Sequence, residues 1–528
     1  MLASYKTHEE AVGAFRWGLP EQFNMAWEVC DKWAEKDPDR TAIIDLSSGK
    51  RLDVTFAELK QLSDKLALFL SQSGIVPGDR IGVLRPQSVW TAAAHIAIWK
   101  LGAISMPLFA LFGEEALSSR LENSGACAVI TDETQANKHD LLFSGIKKLK
   151  HVVVPETVLE GSQVTEFTMA GTGPDTPACL IYTSGTTGSP KGALHGHRIL
   201  PGHLPGVEMS HDLFPQSGDV LWTPADWAWI GGLFDVLMPG LFHGIPIVAA
   251  RMEKFSAERC REIIRDGGVR NIFFPPTALR MLKAEDMRLP GLRTVACGGE
   301  PLGAEMLAWG REAFGVTINE FYGQTECNMT VSSCNAWFEP RPGSIGKPVP
   351  GHEVAVIDDQ GNPAGEEGDI AVRRGSAAMM LEYWENPQAT REKFRGDWLL
   401  TGDRGVMEGG YIRFVGRDDD VITSAGYRIG PAEIEDCLLK HEAVASVGVI
   451  GKPDRERTEI VKAYVLLRQG YEPSGALSAD LQEHVKTRLA AYEYPREIEF
   501  VDSLPMTVTG KIIRKELKAR AIREMEEA

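Results

Sequence analysis

Short apolar runs alternate with longer mixed stretches along most of the chain. Residues 80–84, 128–131, 151–154, 220–223, 245–248, 271–274, 294–297 and 318–321 are rich in β-branched and aromatic residues and predict strands. Ser88 to Leu101 carries apolar residues at helical spacing and predicts an amphipathic helix. This alternation runs to about residue 410 and implies a largely parallel α/β sheet system. After the acidic run Arg417–Asp420 the texture changes. Pro431–Leu439 predicts a helix with proline in its first turn, followed by strands at 444–450 and 460–467, a helix at 476–491 and a strand at 497–501. The fold class is therefore α/β: a large N-terminal multi-sheet α/β domain, residues 1–418, plus a small mobile C-terminal α+β domain, residues 419–528.

Composition narrows the function. A chain of 528 residues exceeds one hydrophobic core, and 43% hydrophobic with 24% charged residues is an ordinary globular balance. The net charge of −17 argues against nucleic acid or an anionic membrane as partner, so any polyanionic ligand needs a local cluster of donors. Eight scattered cysteines without a C-x-x-C pair suggest neither a disulfide framework nor a zinc site. His195 and His197, two apart with no further ligands, read as structural. No apolar run reaches the length of a membrane span, and the first residues have no signal-peptide core. A cytoplasmic location is the expectation.

The densest chemistry lies in Tyr182–Gly192, where glycines and hydroxyl side chains crowd behind an apolar run and end on Lys191-Gly192. Such a loop at a strand end offers N–H and hydroxyl donors to a polyphosphate. It is not a Walker loop, because glycine rather than Ser or Thr follows the lysine. Five further segments follow in order: Gly298–Pro301, Tyr322–Glu326, Thr401–Asp403, Gly416–Ile422 with Gly426–Glu435, and Pro505–Lys511. With the loop, they resemble the adenylate-forming superfamily of acyl-CoA synthetases, adenylation domains and luciferases, over essentially the whole chain.

The resemblance implies ATP, Mg²⁺ and coenzyme A, and assigns roles by motif. Thr183, Ser184, Gly185, Thr186, Thr187, Gly188 and Lys191 would hold the β- and γ-phosphates. Thr325 would contact the α-phosphate, and Glu326, with Thr186, would hold the metal. Gly299, Glu300 and Pro301, with Glu320, Phe321 and Tyr322, would form the adenine slot, and Gln324 is a further expected cofactor-binding residue. Asp403 would accept both ribose hydroxyls, supported by Arg417. Lys511 would bridge the substrate carboxylate and the α-phosphate, and Arg428 would sit near them. The small domain would swing about Asp419, after which Ala425, Gly426 and Tyr427 would line the pantetheine tunnel. Arg457 and Arg488 would meet the nucleotide part of CoA.

For the acyl group, Trp229, Ile230 and Gly231 are the expected pocket wall, with Trp227 a further cap. Acetyl-CoA synthetases carry tryptophan directly before Gln-Thr-Glu, and Gly323 stands there in this chain. The missing indole implies room for several methylenes, each worth about 0.8 kcal/mol when buried. Gly426–Glu435 also looks most like medium-chain acyl-CoA synthetases. The expected substrate is a short-to-medium, branched or aromatic carboxylate, with an acetyl/propionyl-CoA synthetase as alternative. Rival readings are a stand-alone carrier-loading adenylating enzyme, suggested by Phe234-Asp235, a non-catalytic scaffold and a light-emitting oxidase. Candidate further partners are a lysine acyltransferase acting on Lys511 and a second copy of the chain in a homodimer.

Overall fold

The computed structural model describes all residues except 163–165, 184–189, 251, 253, 301, 365, 418–419, 425–426, 455–456, 490–492, 508–509 and 528, and the side chains of 423, 427, 428, 433, 526 and 527. Among the described residues the strands form four sheets, three in a large N-terminal domain and one in a smaller C-terminal domain.

The first sheet has nine strands and runs Lys347–Pro348, Cys327–Ser332, Ile318–Gln324, Thr294–Gly298, Asn271–Phe274, Leu221–Trp222, Ile247–Ala249, Thr41–Asp45, Leu52–Thr55. Its centre is parallel and its edges antiparallel. The second has seven strands, in the order Glu382–Tyr383, Lys191–Gly196, Pro177–Thr183, Ile104–Pro107, Arg80–Leu84, Ala128–Thr131, His151–Val153. Ile104–Pro107 and Ala128–Thr131 are buried at every position, as expected of parallel strands covered on both faces.

The helix Val89–Lys100 starts at Ser88, whose side chain accepts a hydrogen bond from the Thr91 amide. It is not amphipathic: Thr91 to Lys100 are all buried. The helix lies between the two large sheets. Ala92, Ala93, Ile96 and Trp99 share a cluster with Ile43, Leu221, Ile247 and Ile181, whereas Ala94, Ala97 and Ile98 pack with Ile81, Val83 and Ile130. The mixed pattern expected to mark a solvated face therefore serves a helix buried all round. Its terminal lysine is paired with two acids, with Nζ 2.7 Å from Asp31 and 2.5 Å from Asp64.

The third sheet departs from the expected α/β alternation. Val354–Ile357, Glu367–Arg373, Trp398–Glu408, Phe394–Arg395 and Tyr411–Arg417 form an antiparallel sheet around Val356, Ile370, Val372, Leu399 and Ile412. Its long central strand carries Asp403 opposite Arg417. In the C-terminal domain, Val444–Asp454 and Thr458–Leu467 pair along their length, and the helices Pro431–Leu439 and Gly475–Arg488 cover them. The last helix, Arg514–Glu527, packs Leu517 and Ala521 against Ile450 and Tyr464.

Lys100→Met should leave Asp31 without its ion pair in the N-terminal core, and Asp64 with Lys60 alone at 2.7 Å. The expected loss is about 3–5 kcal/mol in urea unfolding, the usual cost of leaving buried charge uncompensated. A loss below about 1 kcal/mol would contradict the burial of charge described here.

Candidate active site

The expected phosphate loop joins two paired strands, Pro177–Thr183 and Lys191–Gly196, so that Thr183 stands opposite Lys191 at its neck. Ser184, Gly185, Thr186, Thr187 and Gly188 lie outside the described residues, as do Pro301, Asp419, Ala425 and Gly426. For Tyr427 and Arg428 only the backbone is described, paired with Ser424 and Thr423. The Lys191 ammonium lies over the ring of Tyr383, 5.4 Å from its centroid.

Tyr383 was not among the expected site residues. Its strand extends the sheet beside Lys191–Gly196, and its hydroxyl donates a short hydrogen bond to Glu326 Oε1. Burial, and then the Glu326 charge, push the phenol pKa up, so the hydroxyl stays a donor. Glu326 is buried, and no described residue donates a hydrogen bond to its Oε2. One hard carboxylate oxygen, unclaimed by any described residue, fits the implied Mg²⁺, an ion that prefers oxygen ligands. The backbone here is also held: the Met380 amide donates to Glu326 O at 2.8 Å, and His195 Nε2 lies 2.8 Å from Thr325 O. His197 instead accepts from the Met25 amide, so the two histidines serve different contacts.

Across the site, Tyr322 donates a short hydrogen bond to Asp403 Oδ2, and Gln324 Nε2 donates to Thr401 O at 2.8 Å. Burial pushes the Asp403 carboxyl pKa up, and Tyr322, Arg417, Lys393 and Lys511 oppose the shift. Lys393, absent from the expectations, thus stands among the charges of the site. Glu320, expected in the adenine slot, makes a structural contact through its side chain. Its Oε1 accepts from the Leu302 amide at 2.9 Å, and burial pushes its pKa to about 8. It fixes the turn after Glu300, while Glu300 pairs with Arg280 at 2.8 Å. Phe321 packs its ring under Gly298, where a Cβ would lie 2.5 Å from it.

Lys511 reaches this site from the other domain. A Cβ on Gly299, which has φ +107°, would lie 3.8 Å from the Lys511 ammonium. The Lys511 amide donates to Thr507 Oγ1 at 3.0 Å, and the Thr507 amide donates to Lys511 O at 2.7 Å. Gly510 has φ +82° and abuts Thr277: a Cβ there would lie 2.7 Å from the threonine hydroxyl. The turn thus demands glycine both for its backbone and for its contact with the large domain. A second contact joins the domains where Gly303 meets the Asp436 carboxylate.

The acyl wall differs from expectation at two residues. Trp227 is fully buried in the core and caps nothing, whereas Trp229 is partly exposed and packs 5.5 Å from Phe109 and 6.4 Å from Phe112. Gly323 does not open free space. A Cβ there would collide with the Asn328 amide oxygen and lie 2.5 Å from the Met329 nitrogen, because the side-chain direction points at the paired strand. Beside Ile230, a Cβ on Gly231 would lie 3.0 Å from Phe273 and 3.5 Å from Asp235 Oδ2. Asp235 is buried and accepts from Asn328 Nδ2 through both oxygens, at 2.8 and 3.0 Å. Burial pushes its pKa well up.

The two remaining arginines are not gathered here. Arg488 is exposed and donates to His484 O on its own helix at 3.3 Å, and the Arg457 amide donates to Asp454 at 2.8 Å.

Two family models match the chain: AMP-binding enzyme over residues 30–384 and AMP-binding enzyme C-terminal domain over residues 433–511. The acetyl-coenzyme A synthetase of Bacillus subtilis (strain 168) is 36% identical, covering 97% of this chain and 95% of that protein. The mitochondrial acyl-coenzyme A synthetase ACSM4 of Rattus norvegicus is 35% identical over 96% and 92% of the respective chains. The crystal structure of the anthranilate CoA ligase AuaEII in complex with anthranoyl-AMP superposes with a TM-score of 0.87 at 28% identity, covering 96% of this chain and 99% of that one.

Proposed function

Because this chain belongs to the AMP-binding enzyme family and is an AMP-forming acid–thiol ligase of the acyl-CoA synthetase class, we propose that it makes the CoA thioester of a short-to-medium-chain carboxylate through an acyl-AMP. The observation that carries this reading is the Lys511 ammonium beside Gly299, within electrostatic reach of Asp403.

A carboxylate is a poor electrophile, because its leaving group would be oxide. In the first step a carboxylate oxygen attacks the α-phosphorus of ATP and pyrophosphate leaves. In the second, the CoA sulfur attacks the acyl carbon, its proton is lost to solvent and AMP leaves. Both steps turn on position and charge neutralisation. Lys511 holds the incoming carboxylate and the α-phosphate in the first step, and Asp403 takes the ribose hydroxyls with Arg417 beside it. Glu326, kept in place by Tyr383, carries Mg²⁺, which neutralises charge on the phosphates when bound. For the second step the small domain turns about residue 419, withdrawing Lys511 and bringing residues 425–427 to the thiol.

The acyl group is bounded by Trp229, Ile230 and Gly231, with Phe273 and the Asp235–Asn328 pair behind the glycine. With the space beside Gly323 filled by Asn328, this wall favours the shorter end of the range. Asp235 is engaged by Asn328 rather than open to an α-amino group, which disfavours the carrier-loading reading.

Lys511→Ala should abolish acyl-AMP formation, followed by pyrophosphate release, yet retain thioester formation from synthetic acyl-AMP. Equal loss in both steps would contradict the proposed role. With ATP, Mg²⁺ and acids from acetate to decanoate plus benzoate, AMP release should require CoA and peak between propionate and hexanoate. A peak at acetate would return the reading to an acetyl-CoA synthetase, and turnover without CoA would refute the ligase assignment.

A further inference from the structure

Resting on the two-step reading above, we propose that Lys393 is an α-phosphate-binding residue that stays at the nucleotide through both half-reactions. Lys393 ends the helix Pro387–Glu392 and belongs to the antiparallel sheet region of the large domain. Its ammonium has three donors to place. Among the described residues it has one hydrogen-bond acceptor, Thr401 O at 3.4 Å, a carbonyl already taken by Gln324 at 2.8 Å. No ion pair with a described residue holds it, although Glu326 and Asp403 both act on its charge. Burial lowers its pKa, the two acids oppose that shift, and Arg417 and Lys191 add to it.

The reason for the unspent charge lies in the two tyrosines. Tyr383 donates to one oxygen of Glu326 and Tyr322 to one oxygen of Asp403, each through a neutral hydroxyl. Each carboxylate thus has a hydroxyl partner, and the Lys393 ammonium, which makes no ion pair with either, remains short of acceptors among the described residues. A partly buried ammonium in that condition is costly unless an anion completes it. Asp403 marks the ribose end of the nucleotide and Glu326 the metal end, and the group spanning ribose and metal is the α-phosphate. This phosphate is common to ATP, the acyl-adenylate and AMP. Lys511 belongs to the small domain and departs after the first step. Lys393 belongs to the large domain and does not.

The test separates phosphate binding from support of the Thr401 turn. Calorimetry on the whole protein compares AMP with adenosine, which lacks the phosphate, for the wild type, Lys393→Met and Lys393→Arg. Lys393→Met should weaken AMP binding roughly 10- to 100-fold, the scale of a charged hydrogen bond. Adenosine binding should be unchanged, and Lys393→Arg should recover most of the loss. The same variant should slow both acyl-AMP formation and thioester formation from synthetic acyl-AMP, unlike Lys511→Ala. Equal weakening of AMP and adenosine would overturn the proposal in favour of a positioning role. Unchanged AMP affinity in a folded variant would overturn it outright. A wild type that binds neither ligand would instead sink the nucleotide reading on which the proposal rests.

Discussion

One long-range contact governs the chemistry of this chain: the Lys511 ammonium set beside Gly299 and acting on Asp403 across the boundary between domains. A lysine on a small domain neutralises charge only while that domain is docked. Two glycines mark close approaches between the domains, Gly510 against Thr277 and Gly303 against Asp436, where a side chain would not fit.

Charge is managed locally against the grain of the whole molecule. A chain of net charge −17 gathers Lys191, Lys393, Arg417 and Lys511 around two buried acids. The acids accept from tyrosine hydroxyls, and Lys191, Lys393 and Lys511 make no ion pair with a described residue. Elsewhere the opposite solution appears: Lys100 and Lys462 are buried and fully engaged by acids, at 2.5–2.7 Å to Asp31 and Asp64, and at 2.6–2.8 Å to Glu497, Glu499 and Glu524. Structural lysines are paired, and the lysines of the nucleotide site are left wanting an anion.

Much of this was legible in the sequence, and the gaps have physical causes. Strands such as Arg80–Leu84 and Asn271–Phe274 follow from continuous apolar runs, and the motif order placed Glu326, Asp403 and Lys511 near one another. The helix Val89–Lys100 was misread as amphipathic because its burial on every side depends on two sheets that assemble elsewhere in the chain. The sheet of residues 354–417 was missed because its strands, such as Trp398–Glu408, mix polar with apolar positions and are joined by turns. Gly323 suggested room because a missing side chain is visible in a sequence, whereas the direction its Cβ would take is not. Tyr383 and Lys393 carry no local signal at all. Their importance comes from the strand pairing and chain reversals that bring them to Glu326 and Thr401.

The most direct test of the central contact is to lock it. A Cβ on Gly303, whose φ of −70° suits any residue, would lie 2.7 Å from Asp436 Cγ, within the reach of a disulfide across the domain boundary. The pair Gly303→Cys and Asp436→Cys, oxidised and then given ATP, Mg²⁺, acid and CoA, should form one equivalent of enzyme-bound acyl-AMP and no thioester until the bond is reduced. Thioester formation at the same rate in the oxidised and reduced protein would contradict the account, because the chemistry would then run to completion with Lys511 still in place.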